Sequence, residues 1–309
     1  MLPTSPIPPS ARDRFVAFRR SLPRAPQLER RTVRARGLDF AVYTTPDVAG
    51  SVPLICVNGG LLFDHKLLWP ALSPLSTRRQ LIFYDQRGRG ASQVPPGARA
   101  SRIEHDAGDL PALREALGIR RWNVLGHSWG GGIAMLGAER DRDAVRQLVL
   151  VDAVGPRGDW LASLHDDALH RLSASDRAVL GQLTPSALEG DDPSVHSAYA
   201  RAIYPAWFAD HGLAQMFAPP RSTSATGAAV ASQLRRQGYD WSVLIRAVSA
   251  DTLVIHGVQD LLPARVAHDL MTLIPKARLA LIQNSGHMPF WEAPEEFFES
   301  VLAFLDARS

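Results

Sequence analysis

Six short runs of almost unbroken apolar residues punctuate the chain, at residues 53–57, 81–84, 122–125, 148–151, 252–256 and 279–282. Runs that are apolar at nearly every position, rather than at alternate ones, predict strands buried on both faces of a parallel sheet. Between them, residues 103–117, 131–140, 263–273 and 295–305 carry apolar side chains at helical spacing. Strand and helix in alternation imply right-handed crossovers and an open, mostly parallel twisted sheet with helices on both faces, an α/β architecture. Ahead of this block, residues 32–36 and 38–43 alternate polar and apolar around Gly37, as two strands joined by a tight turn do.

The alternation lapses from about residue 153 to residue 250, where helical stretches carry Trp160, Tyr199, Tyr204, Trp207, Phe208, Phe217, Tyr239 and Trp241. This segment follows the end of the sixth predicted strand, the edge at which open α/β sheets bind ligands, and is expected to roof the site as a helical cap. Most of its aromatics are expected in the cap's own core, with Trp160, Trp207 and Phe208 assigned to the substrate pocket. The resulting division is an N-terminal extension over residues 1–30, a core formed by residues 31–153 and 249–309, and a cap over residues 154–248. A single α/β core with one insertion accommodates 309 residues without a second core.

Composition narrows the class. Hydrophobic residues at 46% and charged residues at 21% exclude a disordered chain. The net charge of +3 is concentrated at the start, where residues 1–36 hold nine arginines against Asp13 and Glu29, so the remainder is net acidic. That basic, proline-rich arm is expected to be a solvated, partly disordered extension. The single cysteine, Cys56, sits in an apolar run and reads as a small buried hydrophobe, so nothing asks for an oxidising compartment. With neither a signal-peptide apolar stretch nor an apolar run of membrane-spanning length, the expectation is a cytoplasmic protein without a membrane span. No nucleic-acid partner is implied, and the oligomeric state is not legible.

The chemistry concentrates in three places. Gly126-His127-Ser128-Trp129-Gly130 matches G-x-S-x-G, a nucleophile elbow that is informative here because a buried strand precedes it and a helix opens after it. A serine hydroxyl is a poor nucleophile at neutral pH, so a base must take its proton and an acid must hold that base in the right tautomer. Chain order serine, acid, histidine selects Asp260, after the strand at 252–256, and His287, after the strand at 279–282. Asp152, directly after the strand at 148–151, is the competing acid. Acyl transfer also needs oxyanion donors, for which the amide of Trp129 and that of Gly60 in Asn58-Gly59-Gly60-Leu61 are the candidates, with Leu61 as neighbour. His105, His256 and His268 read as structural. Neither HExxH nor paired Cys/His spacing is present, so no metal or other cofactor is expected. The stretch Asp85-Gln-Arg-Gly-Arg-Gly-Ala-Ser92 lacks phosphate-loop spacing and is expected to be a structural loop near the site.

Together these motifs resemble the α/β-hydrolase superfamily, most closely its proline iminopeptidase branch, over about residues 50–153 and 249–309. That branch reads His-Gly-Gly-Pro-Gly at the oxyanion loop, Asp-Gln-Arg-Gly-x-Gly-x-Ser next, and Gly-Gly-Ser-Trp-Gly at the elbow. The middle motif is matched in full, whereas Asn58 and Leu61-Leu62 depart from the first. The resemblance implies the α/β-hydrolase fold and, for an aminopeptidase, acidic cap residues that pair with a substrate's free amino group. Glu189, Asp191, Asp192, Asp210 and Asp240 are present in the cap but match no such pattern.

The leading expectation is therefore a serine hydrolase acting on an ester, lactone or amide of a small, largely apolar substrate. The alternatives are a proline iminopeptidase-type aminopeptidase, a carbon–carbon hydrolase or non-hydrolytic biosynthetic enzyme on the same fold, and a catalytically silent ligand-binding protein.

Overall fold

A computed structural model describes residues 10–22 and 25–307. These residues form an eight-stranded sheet in the order β1-β2-β4-β3-β5-β6-β7-β8. The strands are β1 (Glu29–Ala35), β2 (Leu38–Thr44), β3 (Leu54–Val57), β4 (Leu81–Tyr84), β5 (Trp122–His127), β6 (Val145–Val151), β7 (Asp251–Gly257) and β8 (Ala277–Ile282). From β4 across to β8 neighbouring strands pair in parallel, while β2 is antiparallel to both β1 and β4.

Every residue of β3, β4 and β5 is buried, as the unbroken apolar runs imply. At the opposite end β8 differs from its expectation: as an edge strand it buries only Ile282 fully and leaves Leu281 38% exposed. The β1–β2 hairpin turns on Arg36 and Gly37, both at positive φ (46° and 77°), the backbone a two-residue turn needs if its twist is to match the strands.

Helices Ile103–Ala116, Trp129–Arg140, Arg265–Leu273 and Pro294–Asp306 connect or flank the parallel strands close to where periodicity places them. The helical insert lies between β6 and β7 and includes Leu164–Arg171, Pro193–Ile203 and Ala225–Gln237. Its apolar side chains, among them Trp160, Leu164, Ile203 and Val230, belong to the same buried cluster as strand residues Ile55, Val124 and Leu148. Insert and sheet thus share one core.

The N-terminal arm departs from its expectation. Ala11–Ser21 is a helix capped by Ser10, whose Oγ accepts from the Asp13 amide (3.2 Å), and Phe15 is buried. The Phe15 ring centroid lies 5.0 Å from that of Phe217 and 5.6 Å from that of Trp291, and Phe18 packs on Trp291 and Phe298. The two phenylalanines, one turn apart, give the arginine-rich arm an apolar face, and burying it outweighs solvation of the charges around it. Residues 1–9 of that arm lie outside the described residues.

Candidate active site

Ser128 sits between β5 and the helix Trp129–Arg140 with φ 56° and ψ −124°, a backbone conformation unfavourable to any residue with a Cβ. Three backbone bonds hold it there: its N–H donates to Val151 O (3.0 Å), and its carbonyl accepts from Gly131 (2.9 Å) and Val154 (3.2 Å). The crossing is close enough to require glycine, since a Cβ on Gly130 would stand 2.1 Å from Val57 O. Trp129 is the first residue of its helix, so its amide has no acceptor within the helix.

The loop after β3 lies against the elbow: a Cβ on Gly59 would stand 2.6 Å from Ser128 Cβ. Where the resembling branch has histidine, Asn58 is buried and its side-chain amide donates to the carbonyls of Gly59 (3.2 Å) and Phe63 (3.1 Å). Gly60 and Leu61 both have positive φ (80° and 48°), and Leu62 N–H closes a tight turn on Gly60 O (2.5 Å).

The Asp85–Ser92 loop braces this turn from behind. Gln86 Nε2 donates to Asn58 O (2.7 Å), and Arg89 Nε donates to Leu61 O (2.7 Å). Arg89 is itself buried against Asp106 (2.7 Å), and Arg87 pairs with Asp109. The expectation of a structural loop near the site agrees with these contacts.

His287 is buried on the loop after β8. Its Nδ1 lies 2.9 and 3.1 Å from the two carboxylate oxygens of Asp260, on the loop after β7. Asp260 is therefore the carboxylate at hydrogen-bonding distance from His287. Asp152, also buried, instead accepts from Gly257 N–H (2.8 Å) and lies 3.5 Å from His256 Nδ1. Oxygens and nitrogens of Asp152, His256 and Asp260 fall within 4.8 Å of one another, a donor set of the kind that holds a metal ion. Of the three, Asp260 faces His287, so a metal ion held there would compete with that histidine.

Burial raises the carboxyl pKa of both Asp152 and Asp260. Two carboxyls this close disfavour each other's ionisation. The carboxylate form of Asp260 is favoured by the Leu262 N–H (3.2 Å) and by the nearby Arg171 guanidinium. Burial also pushes His287 below its ordinary value, to about 3, which keeps the ring neutral. A neutral ring that donates from Nδ1 to Asp260 leaves Nε2 as a free acceptor. Ser128 and His287 line one cavity with no hydrogen bond between their side chains; catalytic bonds of this kind commonly tighten only in the substrate complex.

The insert is fastened to these loops. His287 N–H donates to Trp207 O (2.8 Å), and the two rings lie 4.3 Å apart. Buried Glu292 accepts from Met288 (3.0 Å) and, across the junction, from Ala209 (2.8 Å). Arg171 caps the carbonyls of Gln259 and Asp260 (2.6 Å each).

A cavity of about 150 Å³ lies between floor and insert. Gly60, Ser128, Trp129 and His287 line one side, and Trp160, Leu188, Tyr199, Ile203 and Trp207 line another. Trp160 is held by its Nε1–H donating to Tyr239 OH (2.8 Å). Phe208 is a correction. Its ring turns away from the cavity into the second buried cluster, 5.0 Å from Phe217 and 5.6 Å from Tyr204, because Trp207 occupies the cavity-facing place beside His287.

Several residues here escaped the sequence reading: Gln86, Arg89, Glu292 and Arg235, the last a cation on the cavity wall. Gln86 and Arg89 both lie in the Asp85–Ser92 stretch, which the sequence marks only as a structural loop, and Arg89 occupies a variable position of its motif. Glu292 and Arg235 look like ordinary helix-surface charges in the sequence.

The family description "alpha/beta hydrolase fold" matches residues 52–294. The chain is 32% identical to a 2-hydroxymuconate semialdehyde hydrolase of Pseudomonas putida, over 74% of this chain and 78% of that one. It is 24% identical to a proline iminopeptidase of Lactobacillus helveticus, over 82% and 90% of the two chains. Among solved structures, a proline iminopeptidase from Mycobacterium smegmatis superposes with a TM-score of 0.69 at 24% identity, covering 90% of this chain and 98% of that one. Among the described residues no helix is long and apolar enough to cross a membrane.

Proposed function

The chain belongs to the α/β-hydrolase fold family, and from that premise we propose that it is a serine hydrolase cleaving a carboxylic ester, lactone or amide of a small, largely apolar substrate. The observation that carries this reading is His287 held by Asp260 at Nδ1 (2.9 Å) while lining the same cavity as Ser128.

In this reading Ser128 Oγ attacks the substrate carbonyl carbon as its proton passes to His287 Nε2. The carbonyl oxygen becomes an oxyanion facing the Trp129 and Gly60 amides, each such donor contributing about 3–4 kcal/mol. The oxyanion collapses to expel the leaving group, which takes the proton from His287, and an ester remains on Ser128. Water then attacks that ester through the same histidine, releasing the carboxylic acid and restoring the serine hydroxyl. Asp260 stabilises the imidazolium in both halves. The insert, residues 154–248, acts as the cap that keeps bulk water from the cavity.

An ester or lactone fits better than an N-terminal aminopeptide. Among the described residues lining the cavity none is Asp or Glu, so a substrate ammonium would have no counter-charge there. A panel of p-nitrophenyl esters against proline and alanine arylamides tests this. A p-nitrophenol burst followed by steady turnover, with the arylamides inert, is expected; turnover of the arylamides alone would overturn it.

A second reading, hydrolysis of a carbon–carbon bond next to a carbonyl, is favoured by the likeness to the 2-hydroxymuconate semialdehyde hydrolase. Its signature is fluorophosphonate labelling of Ser128 together with no turnover of simple esters or amides.

A further inference from the structure

Arg235 stands out on the cavity wall. It lies in the helix Ala225–Gln237, half-buried, and lines the same cavity as Ser128 and His287. Among the described residues its guanidinium has no hydrogen-bond or ion-pair partner. Its neighbour Arg236, by contrast, points outward and donates to Glu189 O. A guanidinium carries five donors and cannot shed its charge, so one facing a largely apolar cavity without a counter-ion is matched only by an anion brought into that cavity.

The surroundings of Arg235 select the kind of anion. His196 shares this part of the wall, and burial lowers its pKa while its Nε2 is committed to Gly190 O (2.7 Å). Tyr199, also on the wall, is engaged with His165 Nδ1 (3.2 Å). Arg235 is thus the one fixed positive charge lining the cavity among the described residues. Asp191 and Asp192 act on His196 from outside the cavity and add negative potential. A monoanion balances one guanidinium, whereas a dianionic phosphate would leave an uncompensated charge in a half-buried apolar setting. A carboxylate also matches the planar guanidinium fork in two parallel hydrogen bonds.

We propose that Arg235 forms a carboxylate subsite at the insert side of the cavity, so that the preferred substrate carries a carboxylate separated by an apolar segment from the bond presented to Ser128. This rests on the reading of the cavity as the substrate site. Leu188, Ile203 and Trp160 would cover the apolar segment, and a cavity of about 150 Å³ has room for a group about the size of a benzene ring.

The test is a binding measurement that needs no turnover. Trp129, Trp160 and Trp207 line the cavity, so their fluorescence reports occupancy. Wild-type and Arg235→Gln proteins are titrated with 4-phenylbutyrate and with its uncharged amide, and each variant's melting transition is checked. Wild type is expected to bind the carboxylate at least tenfold more tightly than the amide, with that ratio falling toward one in Arg235→Gln. Because the ratio is taken within one protein, a general weakening of binding cancels. Equal affinity for acid and amide in wild type, or a ratio that survives in Arg235→Gln, overturns the subsite. Fluorophosphonate labelling of the same samples separates the two readings: an anion preference without labelling would sink the hydrolase reading and leave the subsite standing, and labelling without the preference would do the reverse.

Discussion

The floor of the cavity is made of polar groups at the ends of parallel strands, each tied to backbone: Ser128 by Val151, Gly131 and Val154, His287 by Trp207, and Asp260 by Leu262. The roof is made of apolar side chains on short helices, with one cation among them. Floor groups are over-determined, because a strained φ at Ser128 and buried carboxyls at Asp152 and Asp260 persist only where surrounding bonds compensate them. Roof groups are held by packing, which tolerates replacement by side chains of similar volume. Changes to the floor should therefore abolish chemistry, and changes to the roof should redirect it.

The largest effect should come from the base. His287→Ala is expected to lower kcat for an activated ester by about 10⁴-fold or more while leaving the fold intact, checked by steady-state kinetics beside a thermal melt. Next comes the contrast between the two carboxyls. Asp260→Asn should cost about 10⁴-fold in kcat, because the amide favours the wrong imidazole tautomer. Asp152→Asn should cost less than about tenfold, because Asp152 bonds Gly257 N–H rather than His287 and an amide oxygen still accepts that bond. Equal losses in the two variants would undo the assignment of roles.

A third effect falls on stability. Arg89→Ala removes one partner of the buried pair with Asp106 and frees Leu61 O, so urea denaturation should show a loss of about 3–5 kcal/mol.

The smallest effects sharpen the comparison. The acid limb of kcat/KM reports protonation of the base in the free enzyme. Burial disfavours the His287 imidazolium, so that limb should fall below the ordinary histidine value of about 6.5. A limb centred at or above 6.5 would mean a more solvated or more strongly paired histidine. In the roof, Trp160→Leu should change the ranking of ester chain lengths by a few-fold through KM, with kcat for the smallest ester little altered.

The same contrast explains what was legible in the sequence. Runs such as Leu81–Tyr84 announce buried strands because a parallel sheet covered on both faces admits little else, and the elbow is visible because a serine crossing closely into a helix needs glycine beside it. Asp260 and His287 were selected by chain order along the strand ends, and order alone left Asp152 in contention; of the two carboxylates, Asp260 is the one at hydrogen-bonding distance from His287. The roof was opaque. Phe208 and Trp207 are adjacent aromatics, and which one faces the cavity depends on where the insert crosses the histidine loop. Arg235 beside Arg236 has the appearance of a solvated helix face, and only the three-dimensional packing turns one inward. The docked helix Ala11–Ser21 was missed because its arginines outnumber the two phenylalanines that bury it.

Reaction of the wild-type, Ser128→Ala, Asp260→Asn and His287→Ala proteins with a fluorophosphonate, followed by intact mass and peptide mapping, tests the central claim most directly. One adduct per chain on Ser128 in the wild type, none in Ser128→Ala and sharply slowed labelling in the other two is the predicted result. Undiminished labelling of Ser128→Ala would place the nucleophile elsewhere and contradict the account.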